Sequence, residues 1–223
     1  MNLSVQSSTY YVHFYLFLTT EKWVNRNLNS LMTSKQLLDT VTTITKENIE
    51  VAKKHLSKLS EKQLDWIPNT GVWSVRQVLA HLNEYSRYYH PVFTRKIENT
   101  KYKSTKEGFM SSPLGRSAWK SMKLGRANNV KRKFRARKDY NPAISTELIH
   151  GNEVDYFIEQ QEILLQIIKK SESVNLKKVK VPISISKIVR LRLGDALLFV
   201  GYHDQRHIQQ ISNLKNNPNF PKK

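Results

Sequence analysis

Four stretches of the chain repeat apolar residues at helical spacing, separated by one short and two long interruptions. From Ser34 to about Leu59 the apolar residues are Leu37, Leu38, Val41, Ile44, Val51, Ala52, Leu56 and Leu59, much of which fits the three-and-four spacing of one face of an α-helix. Thr33 and Gln36 stand at capping-box spacing just ahead of it. SEKQLDWIPNTG follows and reads as one turn of helix broken at Pro68 and Gly71. Ser74 with Gln77 forms a second capping box, and Val75, Val78, Leu79, Leu82 and Tyr85 supply the apolar face behind it. This helix should reach about Glu98, kinked or interrupted at Pro91. Asn152 is placed to cap a third helix with Val154, Phe157, Ile158, Leu164, Leu165 and Ile168 inward. A fourth runs from about Asp195 to Asn213 and stops before Asn216, Asn217 and Pro218. The pattern predicts an all-α four-helix bundle with a long basic connection between its second and third helices.

The interruptions differ in kind. Residues 100–142 lack sustained periodicity and carry Gly108, Pro113, Gly115, Gly125 and Pro142, so they read as a long connection with some short helix. Connections of that length are uncommon unless they act as lids, binding loops or disordered stretches. KKVKVPISISKIVRL, 177–191, is β-prone and reads as an extended connection. Near the N-terminus, YYVHFYLFL at 10–18 is an apolar run too short to span a membrane and weak as a secretory signal. Residues 1–31 are therefore expected to be an attached extension or a mis-assigned start, dispensable for folding. The bundle is assigned to 32–215 and a basic tail to 216–223.

The fourth helix poses a chemical question. Its stripe is Ala196, Val200, His203, His207, Ile211 and Leu214, so two imidazoles take core positions one turn apart. On the second helix His81 lies three past Val78 and four before Tyr85, on the flank of the apolar face. If the two helices pack, the three imidazoles converge. Two histidines at i and i+4 with a third from a neighbouring helix make a facial set that suits zinc, nickel or iron and leaves positions open for substrate. The plain alternative is a pair of core histidines satisfied by hydrogen bonds. His13, His55, His90 and His150 read as surface or incidental, Asp204 as solvent-facing, and Trp73 as packing at a helix start.

Composition narrows this further. The 223 residues are 39% hydrophobic, enough for a core, and include no cysteine. Any metal must therefore sit on His, Asp or Glu, and any thiol must come from a cosubstrate. Net charge is +19, and residues 116–138 hold ten Lys or Arg with no acid. Such charge favours anionic partners. Arg132, Lys133 and Arg135 are the candidate anion-binding residues. Trp119, Phe134 and Tyr140 interleave with these cations as single-stranded nucleic acid would require, although a solvated basic loop gives the same composition.

LSEKQLDWIPNTGVWSVRQVLAHL, followed near the C-terminus by GDALLFVGYHDQRHIQQI, resembles the DinB-like (DinB/YfiT) superfamily. The features that match are Trp73-Ser74 at a helix start, His81 seven residues after Ser74, and His203, Arg206-His207 and Gln210-Ile211 in the last helix; the likeness covers about residues 33–214. The resemblance implies a four-helix bundle with a divalent metal on His81, His203 and His207. Zinc is the first expectation, with nickel, iron or manganese as alternatives. It also implies S-transfer from low-molecular-weight thiols such as bacillithiol, or thiol-dependent isomerisation. The expected function is thus a cytoplasmic metal-dependent thiol S-transferase or hydrolase acting on a small molecule, without a membrane span and with homodimerisation open. Gln210 is a candidate to support a ligand or meet substrate. Glu84, one turn past His81, is a candidate to orient a ligand or move a proton. The alternatives are a nucleic-acid or polyanion-binding module and a non-catalytic family member.

Overall fold

A computed structural model describes residues 31–130 and 134–222. Helix α1, Ser34–Val51, opens on the expected capping box. Thr33 Oγ1 accepts from the Gln36 amide (3.0 Å) while Gln36 Oε1 accepts from the Thr33 amide (2.9 Å). It continues into a π-helical turn, Ala52–Leu56, and a short α2, Glu61–Asp65. Helix α3, Val75–Glu98, is capped the same way by Ser74 and Gln77. It passes through Pro91 unbroken, against the expectation of an interruption. Pro91 lies on the exposed side, where solvent can take the carbonyl that loses its partner.

The segment 100–142 carries more regular structure than its composition suggests. It contains β2, Gly108–Met110, paired antiparallel with β1, Leu31–Thr33, and α4, Pro113–Met122. A 3₁₀ turn, Lys138–Tyr140, follows. Helix α4 lies hard against the last helix: a Cβ on Gly115 would fall 2.1 Å from a carboxylate oxygen of Asp195. The same carboxylate accepts from the amide and hydroxyl of Ser112, both at 3.0 Å, and so anchors the start of α4.

Helix α5, Glu153–Ser171, has Asn152 at its start without a side-chain cap. The first-turn Glu153 replaces it by accepting from the amides of His150 and Gly151. A hairpin, β3 Lys180–Ile183 with β4 Ser186–Arg192, leads directly into α6, Leu193–Lys215. The fold is all-α apart from these short strands. Helix α3 packs on α5 and α6, and α1 packs on the same two. One apolar cluster includes Leu37, Val41, Tyr89, Phe93, Leu164 and Leu197; a second, nearer the C-terminus of α6, includes Leu79, Leu82, Phe157 and Ile211. Among the described residues no helix is long and apolar enough to cross a membrane.

Candidate metal centre

The α3–α6 contact decides where the histidines go. With Val78, Leu79 and Leu82 of α3 and Val200, Ile208 and Ile211 of α6 all buried, His81, His203 and His207 are carried to the shared interface. Their ring centroids lie 5.1 Å (His81–His203), 4.8 Å (His81–His207) and 4.7 Å (His203–His207) apart. One ligating nitrogen from each can be chosen so that all three lie within 4.8 Å of one another, the sole such group of three His, Cys, Asp or Glu among the described residues. His81 Nε2 and His203 Nε2 are 3.2 Å apart.

The outward nitrogens explain this convergence. His81 Nδ1 is 2.6 Å from the carbonyl oxygen of Tyr140, which can only accept, so Nδ1 carries the proton and Nε2 is bare. His207 Nδ1 lies 3.0 Å from Gln210 Oε1, which assigns it the same tautomer. His203 Nδ1 is buried with no hydrogen-bond partner, 3.9 Å from Asp204 Oδ1. If Nε2 of His203 were bare as well, two lone pairs would oppose each other at 3.2 Å. A proton or a cation between them relieves that repulsion. Two nitrogens on a tetrahedral zinc stand about 3.3 Å apart, given Zn–N bonds of roughly 2.0–2.1 Å. The donor set therefore fits a divalent ion.

Burial keeps these ligands neutral, the form a metal needs. It pushes His81 down to about 4, against a smaller opposing effect of the Tyr140 carbonyl. His203 and His207 are likewise held well below the usual histidine range, by burial first and then by the neighbouring histidines and the Arg206 guanidinium. Aromatic rings wall the site. Tyr85 lies 4.2 Å from His203 and 4.9 Å from His81, Trp73 lies 5.0 Å from His81, and Phe199 stacks near-parallel to His203 at 5.8 Å. Trp73, expected only to pack at a helix start, thus also faces the imidazoles.

The other expected residues fall in different places. Gln210 touches the site through His207. Glu84 is tied in an ion pair to Arg87, whose guanidinium lies 4.6 Å over the Tyr156 ring. Arg132 and Lys133 lie outside the described residues, as do the apolar run 10–18 and His13; Arg135 is exposed. Two expectations are overturned. Asp204 is 1% exposed rather than solvent-facing, and accepts from Gln161 Nε2 at 2.8 Å. Burial raises its carboxyl to about 7. His90 is buried rather than on the surface, with Nδ1 2.9 Å from Gln160 Oε1. Both lie off the stripes read from the sequence; α5 lies against those flanks and encloses them.

A sequence model of the DinB superfamily matches residues 44–211, a span that includes all three histidines. The chain belongs to the DinB superfamily. It is also similar to the uncharacterized protein YuaE of Bacillus subtilis (strain 168), 27% identical over 164 residues, covering 72% of this chain and 88% of that protein. No solved structure matches the chain significantly. In this DinB-superfamily chain, the segment just before Asn141 lies on the centre. Tyr140 gives its carbonyl to His81 and its ring approaches Tyr85 at 4.8 Å, while Phe134 lies 5.3 Å from the Arg206 guanidinium.

Proposed function

We propose that His81, His203 and His207 hold one divalent metal ion and that the protein is a metal-dependent enzyme acting on a small molecule, by thiol S-transfer or hydrolysis. The observation that carries this reading is the convergence of three neutral imidazoles whose Nδ1 atoms face away from the centre. A divalent ion there supplies Lewis acidity, lowering the pKa of a water or thiol that reaches it. Tyr140 and Gln210 hold His81 and His207 in the tautomer that points Nε2 inward. Asp204 is placed to do the same for His203, with Gln161 fixing the carboxylate and Asn48 Nδ2 3.4 Å from Gln161 Oε1 behind it. Trp73, Tyr85 and Phe199 keep water from the flanks, and the 134–140 segment covers one side. The chain has no cysteine, so a thiol substrate must be supplied from solution.

Elemental analysis of the purified protein tests the reading, with about one zinc or similar ion per chain expected. Replacing His203 and His207 together by Ala should abolish it; unchanged metal content would overturn the ligand assignment. For the chemistry, neutralising Arg132, Lys133 and Arg135 should raise the KM for an anionic thiol while leaving metal content and kcat in place. A metal-loaded protein inert towards thiols and hydrolysable esters alike would leave the ion without the proposed reaction.

A further inference from the structure

Most of the net positive charge of this chain is carried by two stretches of sequence. Residues 116–138 and 173–194 together hold sixteen Lys or Arg and no acid, out of a net charge of +19. They are far apart in sequence but meet in space. Arg137 Nη1 donates to the Ile185 carbonyl (3.1 Å), and α4, whose later residues belong to the first stretch, packs against β4.

The hairpin within the second stretch has two unlike faces. Lys180 pairs with Arg192 and Pro182 with Arg190, so these residues share a face, and Ile188 joins them by the two-residue period of β4. Val181 and Leu191 point the other way and are fully buried in the core. The outward face thus carries Lys180, Arg190 and Arg192 with Ile188, which is 91% exposed. Ile185, in the turn, is 55% exposed. Two large aliphatic side chains at the tip of a cationic hairpin remain uncovered while most other large apolar residues are buried.

We propose that this hairpin, with the adjoining Arg137–Lys138 stretch, docks the protein on an anionic phospholipid bilayer, the cations meeting headgroups and Ile185 and Ile188 entering the interface. Charge complementarity selects the partner. A second copy of the chain would bring the same cations face to face. Nucleic acid would satisfy the cations, but it offers nothing to aliphatic tips and would call for exposed aromatic faces. Two of the three aromatics there are instead turned inward: Trp119 Nε1 donates to Ser111 Oγ and its ring stacks on Tyr202 at 5.9 Å, and Tyr140, just past the first stretch, packs on Tyr85; Phe134 alone is exposed, at 46%, with the Arg206 guanidinium 5.3 Å from its ring. A bilayer rewards both features at once, since headgroup attraction adds for each cation near the surface and apolar insertion adds to it. This docking is independent of the metal reading.

The test is flotation of the full-length protein with vesicles of three parts phosphatidylcholine to one part phosphatidylglycerol, against pure phosphatidylcholine and a labelled single-stranded oligonucleotide. Binding to the anionic vesicles only is expected, weakening with salt. The pair Ile185→Ser and Ile188→Ser should reduce the partition coefficient about tenfold or more. Arg137→Gln with Arg190→Gln should reduce it by roughly tenfold or more, at about fivefold per cation near the surface. Metal content and melting temperature should stay at the parental values in both variants, which separates loss of docking from misfolding. Equal binding to neutral vesicles, or vesicle binding unmoved by the isoleucine pair, would overturn the proposal and point to another segment. Oligonucleotide binding that survives the isoleucine changes, with no vesicle binding, would replace it with a nucleic-acid surface.

Discussion

Two buried polar groups sit at opposite flanks of α3, and they are built on different principles. Around Arg76 every charge has its complement. The guanidinium donates to Asp65 (2.6 Å), to Glu153 (2.9 Å) and to Glu61, and Glu153 accepts in addition from two backbone amides. The cation is thereby held further towards its charged form, with the Asp65 bond as the largest cause. Around His81, the partners outside the cluster are the Tyr140 carbonyl for His81 and Gln210 for His207, and the inner nitrogens of His81 and His203 face one another at 3.2 Å. A self-satisfied node like that of Arg76 ties α2, α3 and α5 together and leaves nothing over for a ligand. A cluster whose outer nitrogens are partnered only at His81 and His207, and whose inner nitrogens converge, is unfinished without a proton or cation at its middle, and so is a candidate for chemistry.

That contrast can be broken most directly by exchanging the roles. Loss of His203 and His207 should remove the metal and, with it, the stabilisation that metal gives; saturating zinc should raise the stability of the parent chain by about 4 kcal/mol at a thousandfold excess over Kd and leave the double variant unmoved. Thermal melts with and without added zinc measure both. Arg76→Met should cost about 3–5 kcal/mol, because it strands the Glu153 carboxylate in the interior. Its metal content per folded chain should match the parent; a loss of metal would show that the two groups are coupled.

Acid separates them further. The folded chain holds its site histidines neutral while the unfolded chain protonates near pH 6.5, so the metal-free protein should lose stability as pH falls below about 6.5, His81 reaching its limit near pH 4. Asp204 acts in the opposite sense. Its carboxyl, raised to about 7, keeps its proton in the fold where the unfolded chain would have lost it, so acidification returns some stability between about 7 and its ordinary 3.8. The imidazoles outnumber it, and a net loss of roughly 1–3 kcal/mol between pH 7 and 5 is expected from urea titrations. The smallest effect is the most informative. Asp204→Asn should weaken metal binding by about 10–100-fold and steepen the acid loss of the metal-free protein. Unchanged metal affinity would reduce Asp204 to a structural partner of Gln161.

Much of the fold was legible because helices announce themselves locally. The capping boxes at Thr33–Gln36 and Ser74–Gln77 and the three-and-four spacing of Leu37, Val41, Val78 and Leu82 need only their own neighbours to act. The three histidines were legible for the same reason: His203 and His207 occupy stripe positions, and a polar residue in an apolar stripe is conspicuous. The helical reach to Glu98 was legible, and only the interruption offered as one alternative at Pro91 is absent, because the cost of a missing amide depends on whether water reaches the freed carbonyl, and so on which side of α3 faces out. Asp204 and His90 were misjudged because residues beside a stripe look solvated until another helix covers them, and α5 does so here.

The sequence by itself determined the helices, their capped starts, the pair of histidines on one face and the excess of cations, since each depends on spacing and composition alone. Only the tertiary structure decided that the Tyr140 carbonyl would fix the tautomer of His81, 59 residues away. It likewise decided that Asp204 would be buried beside His203, and that Arg137 of one basic stretch would meet the hairpin of the other, where Ile188 stays exposed. Those outcomes rest on contacts between distant segments, whose geometry is set by how whole helices pack and is not encoded in any local pattern.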